Sequence, residues 1–401
     1  MNDHPVLGQL ALGYSPMIDR HRNITALRLT VFPAGPDQAP DAAALLAVLG
    51  EAWPANAGRL SLNLAGEALL AQMLQLELPP HLMLEVPAFI AGQAEHGLAL
   101  QVLHRAGNTL LIKGRPLAPL PRELLPCFSY SIIDLADERR DGLPPPGGVS
   151  RTIPHVQSGV RTLLEMNDAF GRGAYAVLGW PIDDAAPASA PAARAAQAQP
   201  QLQAIVELIN RVDRGEPPDR LEAVMKNDPT MAYRLLRYIN SPAFGLSVEI
   251  SSFRHAIMML GYQRLKRWLA LLLAAGSKDA NLKPVIYAAV RRGLLMEELG
   301  RETGADDEQR GDLFICGVFS LLDRLMQQPF DSLLATVPTS EAVRAALVSQ
   351  SGPHQPYLNL VQAVEAGALF DLRDSADALM MSLPTVNRAV LRSLVAARQL
   401  D

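Results

Sequence analysis

The sequence predicts an α/β domain followed by an all-helical domain. Three observations lead there. Before residue 183, short apolar runs alternate with segments of helical period, the pattern of parallel α/β units. DDAAPASAPAARAAQAQPQ, from Asp183 to Gln201, holds no large apolar group and cannot bury a core, so it reads as a linker. After it, strand signal almost vanishes. The boundaries that follow are an α/β domain at 1–183, a linker at 184–200 and a helical domain at 201–401.

In the first domain the strand candidates are LRLTVF (Leu27–Phe32), RLSLNL (Arg59–Leu64), HLMLEV (His81–Val86), TLLIKG (Thr109–Gly114) and YSIIDL (Tyr130–Leu135). DAAALLAVLGEA, EALLAQMLQLE and SGVRTLLEMNDAF carry helical spacing. DGLPPPGGVS, Asp141 to Ser150, reads as a loop.

In the second domain, QLQAIVELINRVDRG aligns Leu202, Ile205, Val206, Ile209 and Val212 on one face, with Gly215 as a stop signal. Asp228 and Pro229 suit the N-cap and first position of another helix. SSFRHAIMMLG starts at a serine cap and ends at Gly261. LFICGVFSLLDRLM, Leu313 to Met326, reads as one buried helix with Ser320 and Asp323 as polar groups near its apolar face.

Bulk composition narrows the function. The chain has 401 residues, 49% of them apolar and 19% charged, with a net charge of −5. That supports a sizeable core and excludes a wholesale polyanion binder, though not a local basic face. Cys127 and Cys316 lie far apart and imply no disulfide framework. The N-terminal twenty residues lack a basic segment followed by an apolar run, and the longest apolar stretch, Trp268–Ala275, is far below the roughly 20 residues of a membrane span. The expectation is a cytoplasmic protein without a membrane span.

The stretch from Met231 to Ala274 resembles the HDOD family, the HD-related output domain of bacterial signalling proteins. The resemblance is carried by Asp228-Pro229, Asn240-Ser241 before Phe244-Gly245, and Ile250-Ser251-Ser252 opening a helix that closes at Leu260-Gly261. It implies an all-helical fold shared with the HD metal-dependent phosphohydrolases. Those enzymes converge His and Asp ligands on metal ions that activate a water. Here the position of the ligand His is Ser320 and that of the paired Asp is Leu321. No His-Asp dipeptide occurs in the chain.

The first domain is similar to an EAL domain, the cyclic-di-GMP phosphodiesterase barrel. GYSPMIDRHRNITALRLTVF matches the opening of that family, RLSLNL, LMLEV and YSIIDL match three of its strands, and VQSGVRTLLEMNDAFGRGAYAVLGWPI matches its closing segment. Active members hold divalent ions on carboxylates. By this resemblance the Glu of the naming motif falls on Arg28 and the following Arg on Phe32. The paired Asp falls on Lys113-Gly114, the Lys of the KID motif on Ile132, a further Glu on Ser158 and a Gln on Leu178. Asn63, Glu85 and Asp134 remain. A full (β/α)8 barrel takes roughly 200 residues or more, so some elements are expected to be trimmed. The fold class is thus a truncated or degenerate EAL-type (β/α) barrel followed by an all-helical HD-related domain.

Arg234, Arg237, Arg254, Arg264, Lys266 and Arg267 make a basic stretch, a candidate interaction surface. As a nucleic-acid contact it ranks below a solvated helix face with arginine stems lying on apolar surface. The expectations that follow are no catalytic residue, no metal and no cofactor. The role implied is signal transduction through contacts with other signalling proteins, in motility, attachment or cyclic-di-GMP-linked regulation. A homodimer is admissible. Cyclic-di-GMP binding or weak phosphodiesterase activity, and then nucleic-acid binding through the basic helices near 254–267, are ranked below protein contact.

Overall fold

The computed structural model describes residues 4–35, 40–116, 119–137, 153–184, 200–218, 220–221, 261–263, 265–267, 269–271, 273, 280–326, 328–335, 337 and 339–398. They fall into two compact units. The first comprises Met1–Asp184 together with Gln362–Ala376 and Ser382–Arg388, the second Ala185–Val361 with Asp377–Met381 and Ala389–Asp401.

The first unit is built on a closed barrel of eight strands in sequence order. They are β1 (Leu10–Asp19), β2 (Ile24–Pro33), β3 (Arg59–Leu64), β4 (Leu82–Pro87), β5 (Thr109–Lys113), β6 (Phe128–Asp134), β7 (His155–Ser158) and β8 (Ala176–Leu178). β2 to β8 run parallel to one another, whereas β1 is antiparallel to both β2 and β8. The all-parallel expectation is corrected at that strand. The reversal is made by a tight turn in which the Asp19 carboxylate accepts from the His21 and Asn23 amides, each at 2.8 Å.

β2 to β6 overlap the five strand candidates, while β1, β7 and β8 carried no strand reading. The reasons are physical. β1 is buried on both faces and so does not alternate, and it contains Gly13 and Pro16. β7 and β8 have 4 and 3 residues, too few for a period to register. All eight strands are present, so none of the expected trimming falls on the strands. The helices here are α1 (Ala42–Ala52), α2 (Glu67–Met73), the four-residue α3 (Ala88–Ala91), α4 (Gly97–Arg105) and α5 (Leu163–Gly171). Among the described residues, no α-helix joins β5 to β6.

The seam between β8 and β1 is sealed by side chains. β8 reaches only Met17–Asp19, which leaves the rest of that edge of β1 unpaired by strand. Asn387 fills the gap: its Oδ1 accepts from the Leu12 amide at 3.0 Å, and its Nδ2 donates to the carbonyls of Leu7 and Leu10 at 2.8 Å each. Trp180 Nε1 donates to the Tyr14 carbonyl at 2.9 Å. Part of an open strand edge is thereby covered, with the Leu12 amide and the Leu10 and Tyr14 carbonyls satisfied. Gly13 permits the close approach, since a Cβ there would lie 3.0 Å from the Val364 carbonyl oxygen.

The second unit is helical where described. α6 (Pro200–Asp213) buries Ile205, Leu208, Ile209 and Val212, and Gly215 follows in the left-handed conformation that the stop signal anticipates. Then come α7 (Lys283–Glu302), α8 (Asp307–Phe319), α9 (Leu322–Met326), α10 (Phe330–Leu334) and α11 (Glu341–Ser349). α12 (Gln355–Ala366), α13 (Leu369–Ala378) and α14 (Leu383–Arg398) complete the chain, each contributing residues to the segments assigned above. The stretch Leu313–Met326, read as one helix, is two. The break falls at Ser320, whose amide bonds to both the Cys316 and Gly317 carbonyls and whose hydroxyl donates back to the Gly317 carbonyl at 2.7 Å. The helix readings for residues 222–260 lie outside the described residues.

Candidate functional site

In a barrel of this kind the C-terminal ends of the parallel strands carry the functional groups. Strand alternation builds that end here. Ala26, Met83, Leu111, Ile132 and Val156 belong to one apolar cluster with Met17, Ala176 and Leu178. Two residues further along each strand, on the same face, stand Arg28, Glu85, Lys113, Asp134 and Ser158. Ser61 and Asn63 from β3 complete the set. An apolar floor thus lies below a polar rim.

The rim residues are paired with one another. Arg28 donates from Nε to Glu85 Oε1 at 2.8 Å and from Nη2 to Oε2 at 2.6 Å. Ser61 Oγ donates to the same Oε1 at 3.1 Å. The Arg28 and Glu85 side chains are 15% and 0% exposed, so the ion pair is largely withdrawn from water. Removing one partner of such a pair typically costs about 3–5 kcal/mol. Lys113 Nζ donates to Asn63 Oδ1 at 2.8 Å, and Asn63 Nδ2 donates to Thr30 Oγ1 at 3.2 Å. Burial holds the Lys113 ammonium below its ordinary pKa, with the nearby Arg28 adding to the effect and Glu85 and Asp134 opposing it. Asp134 accepts from Ser158 Oγ at 3.0 Å and from the Ala136 amide at 2.9 Å. Gly159 makes room for it, because a Cβ there would sit 3.0 Å from its carboxylate.

All six polar positions singled out from the sequence at this end, Arg28, Asn63, Glu85, Lys113, Asp134 and Ser158, therefore gather on one rim, whereas Ile132 and Leu178 join the apolar floor. Gly114 closes β5 in a positive-φ turn and offers only backbone. Phe32 lies beside Gly13 and Gly367. Sequence reading missed Ser61 and Thr30, which alternation alone would have placed two residues from Asn63 and from Arg28.

The donor set fits a divalent cation poorly. Both Glu85 oxygens are held by a guanidinium and Asn63 Oδ1 by an ammonium, so two positive side chains stand among the oxygens an ion would need. Among the described residues, no group of three or more His, Cys, Asp or Glu is placed to hold a metal.

The helical unit has a corresponding feature. Ser320 is buried and accepts from Arg292 Nη1 at 3.1 Å, and Leu321 is 1% exposed in the core. Asp323 is held by Arg324 Nη1 at 3.2 Å to each carboxylate oxygen, yet burial outweighs that guanidinium and raises its pKa. Burial, with Asp312 adding, pushes the Cys316 thiol up to about 12, which leaves it unreactive. Of the basic stretch, Lys266 pairs with Asp213 at 2.6 Å. Arg267 grips both Glu297 oxygens at 2.5 Å and lies over the Phe314 ring at 4.0 Å. Arg234, Arg237, Arg254 and Arg264 lie outside the described residues.

Residues 199–330 match the family model of the HDOD domain. Among curated proteins, the chain is 29% identical over 167 residues to the uncharacterized protein YuxH of Bacillus subtilis (strain 168), covering 40% of each. It is 29% identical over 146 residues to cyclic di-GMP phosphodiesterase CdgJ of Vibrio cholerae, covering 36% of this chain and 34% of that protein. The matches thus span well under half the length of these relatives. Among solved structures, the Klebsiella pneumoniae BlrP1 calcium/cy-diGMP complex aligns with a TM-score of 0.32 and 17% identity, over 45% of this chain and 57% of that one. The PaMucR phosphodiesterase c-di-GMP complex aligns with a TM-score of 0.31 and 16% identity, over 44% and 91%. No helix among the described residues is long and apolar enough to cross a membrane. The chain carries an HDOD domain at residues 199–330, preceded by a closed eight-stranded barrel.

Proposed function

We propose that the chain is a non-catalytic signalling protein of the cytoplasm, acting through contacts with other signalling proteins in motility, attachment or cyclic-di-GMP-linked regulation. One observation carries this reading: the buried Glu85 has both oxygens engaged by Arg28, so the rim offers no free carboxylate pair with which to hold an ion and activate a water. The Ser320–Leu321 pair supports it, since a hydroxyl committed to Gly317 and Arg292 and an alkyl side chain supply no metal ligand there.

The test uses the purified full chain with cyclic-di-GMP and millimolar manganese or magnesium. The expected result is no hydrolysis, and calorimetry without a saturating heat. Metal-dependent turnover, or tight binding lost in the Asn63→Ala and Glu85→Gln variants, would overturn the reading. The similarity to a protein named as a cyclic di-GMP phosphodiesterase makes turnover or binding of that nucleotide the foremost rival reading.

A further inference from the structure

We infer that Arg28 and Lys113 are built-in counter-cations of the barrel rim, holding Glu85 and Asn63 in place and keeping a divalent ion out. The inference goes beyond the functional reading. A barrel rim can be silent without any cation in it, whereas here two cationic side chains hold the polar groups of the rim.

Charge and burial make the argument. Glu85 is 1% exposed, and burying a charge is costly unless it is paired and hydrogen-bonded. Arg28 supplies it through two parallel hydrogen bonds of 2.8 and 2.6 Å, the geometry in which a guanidinium best matches a carboxylate. Ser61 adds a third donor. Asn63 is clamped from both ends, its oxygen by Lys113 and its nitrogen by Thr30. An amide oxygen of this kind is a natural ligand for a hard cation, and here an ammonium sits on it. Two cations, Arg28 and Lys113, face two carboxylates, Glu85 and Asp134, so the rim is neutral as it stands. A divalent ion would add two uncompensated charges within reach of both side-chain cations.

The full chain with Arg28→Ala is the test, followed by thermal unfolding with and without millimolar methylguanidinium or manganese chloride. The wild type is expected to be indifferent to both additives. The variant is expected to melt about 10 °C lower and to recover part of that loss with either cation. Adding Glu85→Gln to Arg28→Ala should remove the response to both. Manganese electron paramagnetic resonance should detect no ion bound by the wild type and one bound by Arg28→Ala/Lys113→Ala. Should Arg28→Ala fail to fold, Arg28→Met/Glu85→Met decides: recovery of folding supports the counter-cation role and continued failure refutes it. An Arg28→Ala variant as stable as the wild type and blind to cations would also refute it, as would Glu85-dependent manganese binding by the wild type. An Arg28→Ala variant as stable as the wild type would sink this inference and leave the functional reading standing, whereas Glu85-dependent manganese binding by the wild type would sink both.

Discussion

Gly317 of α8 faces Gly293 of α7 so closely that a Cβ on Gly317 would lie 2.6 Å from the Gly293 nitrogen. The two helices cross backbone to backbone at this point. Gly317→Ala must push them apart and is expected to cost about 1–3 kcal/mol. Gly311, on the same helix, has nothing within 4 Å of its would-be Cβ. Gly311→Ala should be neutral or stabilising by about 0.5–1 kcal/mol. Parallel denaturant titrations of the two variants check this, and equal effects would refute the close crossing.

Asn387 answers three buried main-chain groups of the barrel with one side chain. Asn387→Ala leaves them unpaired and should destabilise by about 3 kcal/mol. Asn387→Asp should be worse, because a carboxylate would then face the Leu7 and Leu10 carbonyls. Hydrogen exchange at the Leu12 amide is the local readout, expected to lose protection in Asn387→Ala, which removes its acceptor. Unchanged protection would show that another group seals the seam.

His354 lies buried with Nε2 unpartnered among the described residues, and burial lowers its pKa from the ordinary 6.5, with Asp312 opposing. Above 6.5 the ring is neutral in both folded and unfolded chains, and the full stability is present. As pH falls below that value the unfolded chain takes up the proton first, so stability is lost down to the folded pKa and then levels off. His354→Gln should flatten this part of the profile. Urea unfolding between neutral pH and about pH 5 measures it, and a variant with the wild-type slope would remove His354 as the cause.

Arg267 and Lys266 are committed to acids within the helical unit. Arg267→Met strands Glu297 and uncovers Phe314, for an expected loss of about 2 kcal/mol. Lys266→Met, with Asp213 43% exposed, should cost under about 1 kcal/mol. Retention on DNA should be negligible for the wild type and unchanged in both variants. A steep salt dependence that either substitution reduces would instead place these side chains on phosphate.

Short-range pattern made part of this molecule legible. Five strands of the barrel, the apolar face of α6, and the polar positions that climb above an apolar floor all follow from periods of two and 3.6 residues, which neighbouring residues enforce by themselves. β7 and β8 escaped because three or four residues hold no period, and β1 because burial on both faces erases alternation. The Leu313–Met326 break escaped because a serine's bond back to its own helix has no signature in spacing.

By itself, then, the sequence determined which residues face inward and which positions carry arginine, lysine or an alkyl chain where the resemblance implies ligands. Tertiary structure alone decided that Arg28 meets Glu85 across 57 residues of chain, that Lys113 lands on Asn63 across 50, and that Asn387 reaches Leu7 across 380. Those pairings depend on the order and register in which distant strands close into a ring. Order and register are set by burying the whole apolar floor at once, a global condition that no local window of residues contains.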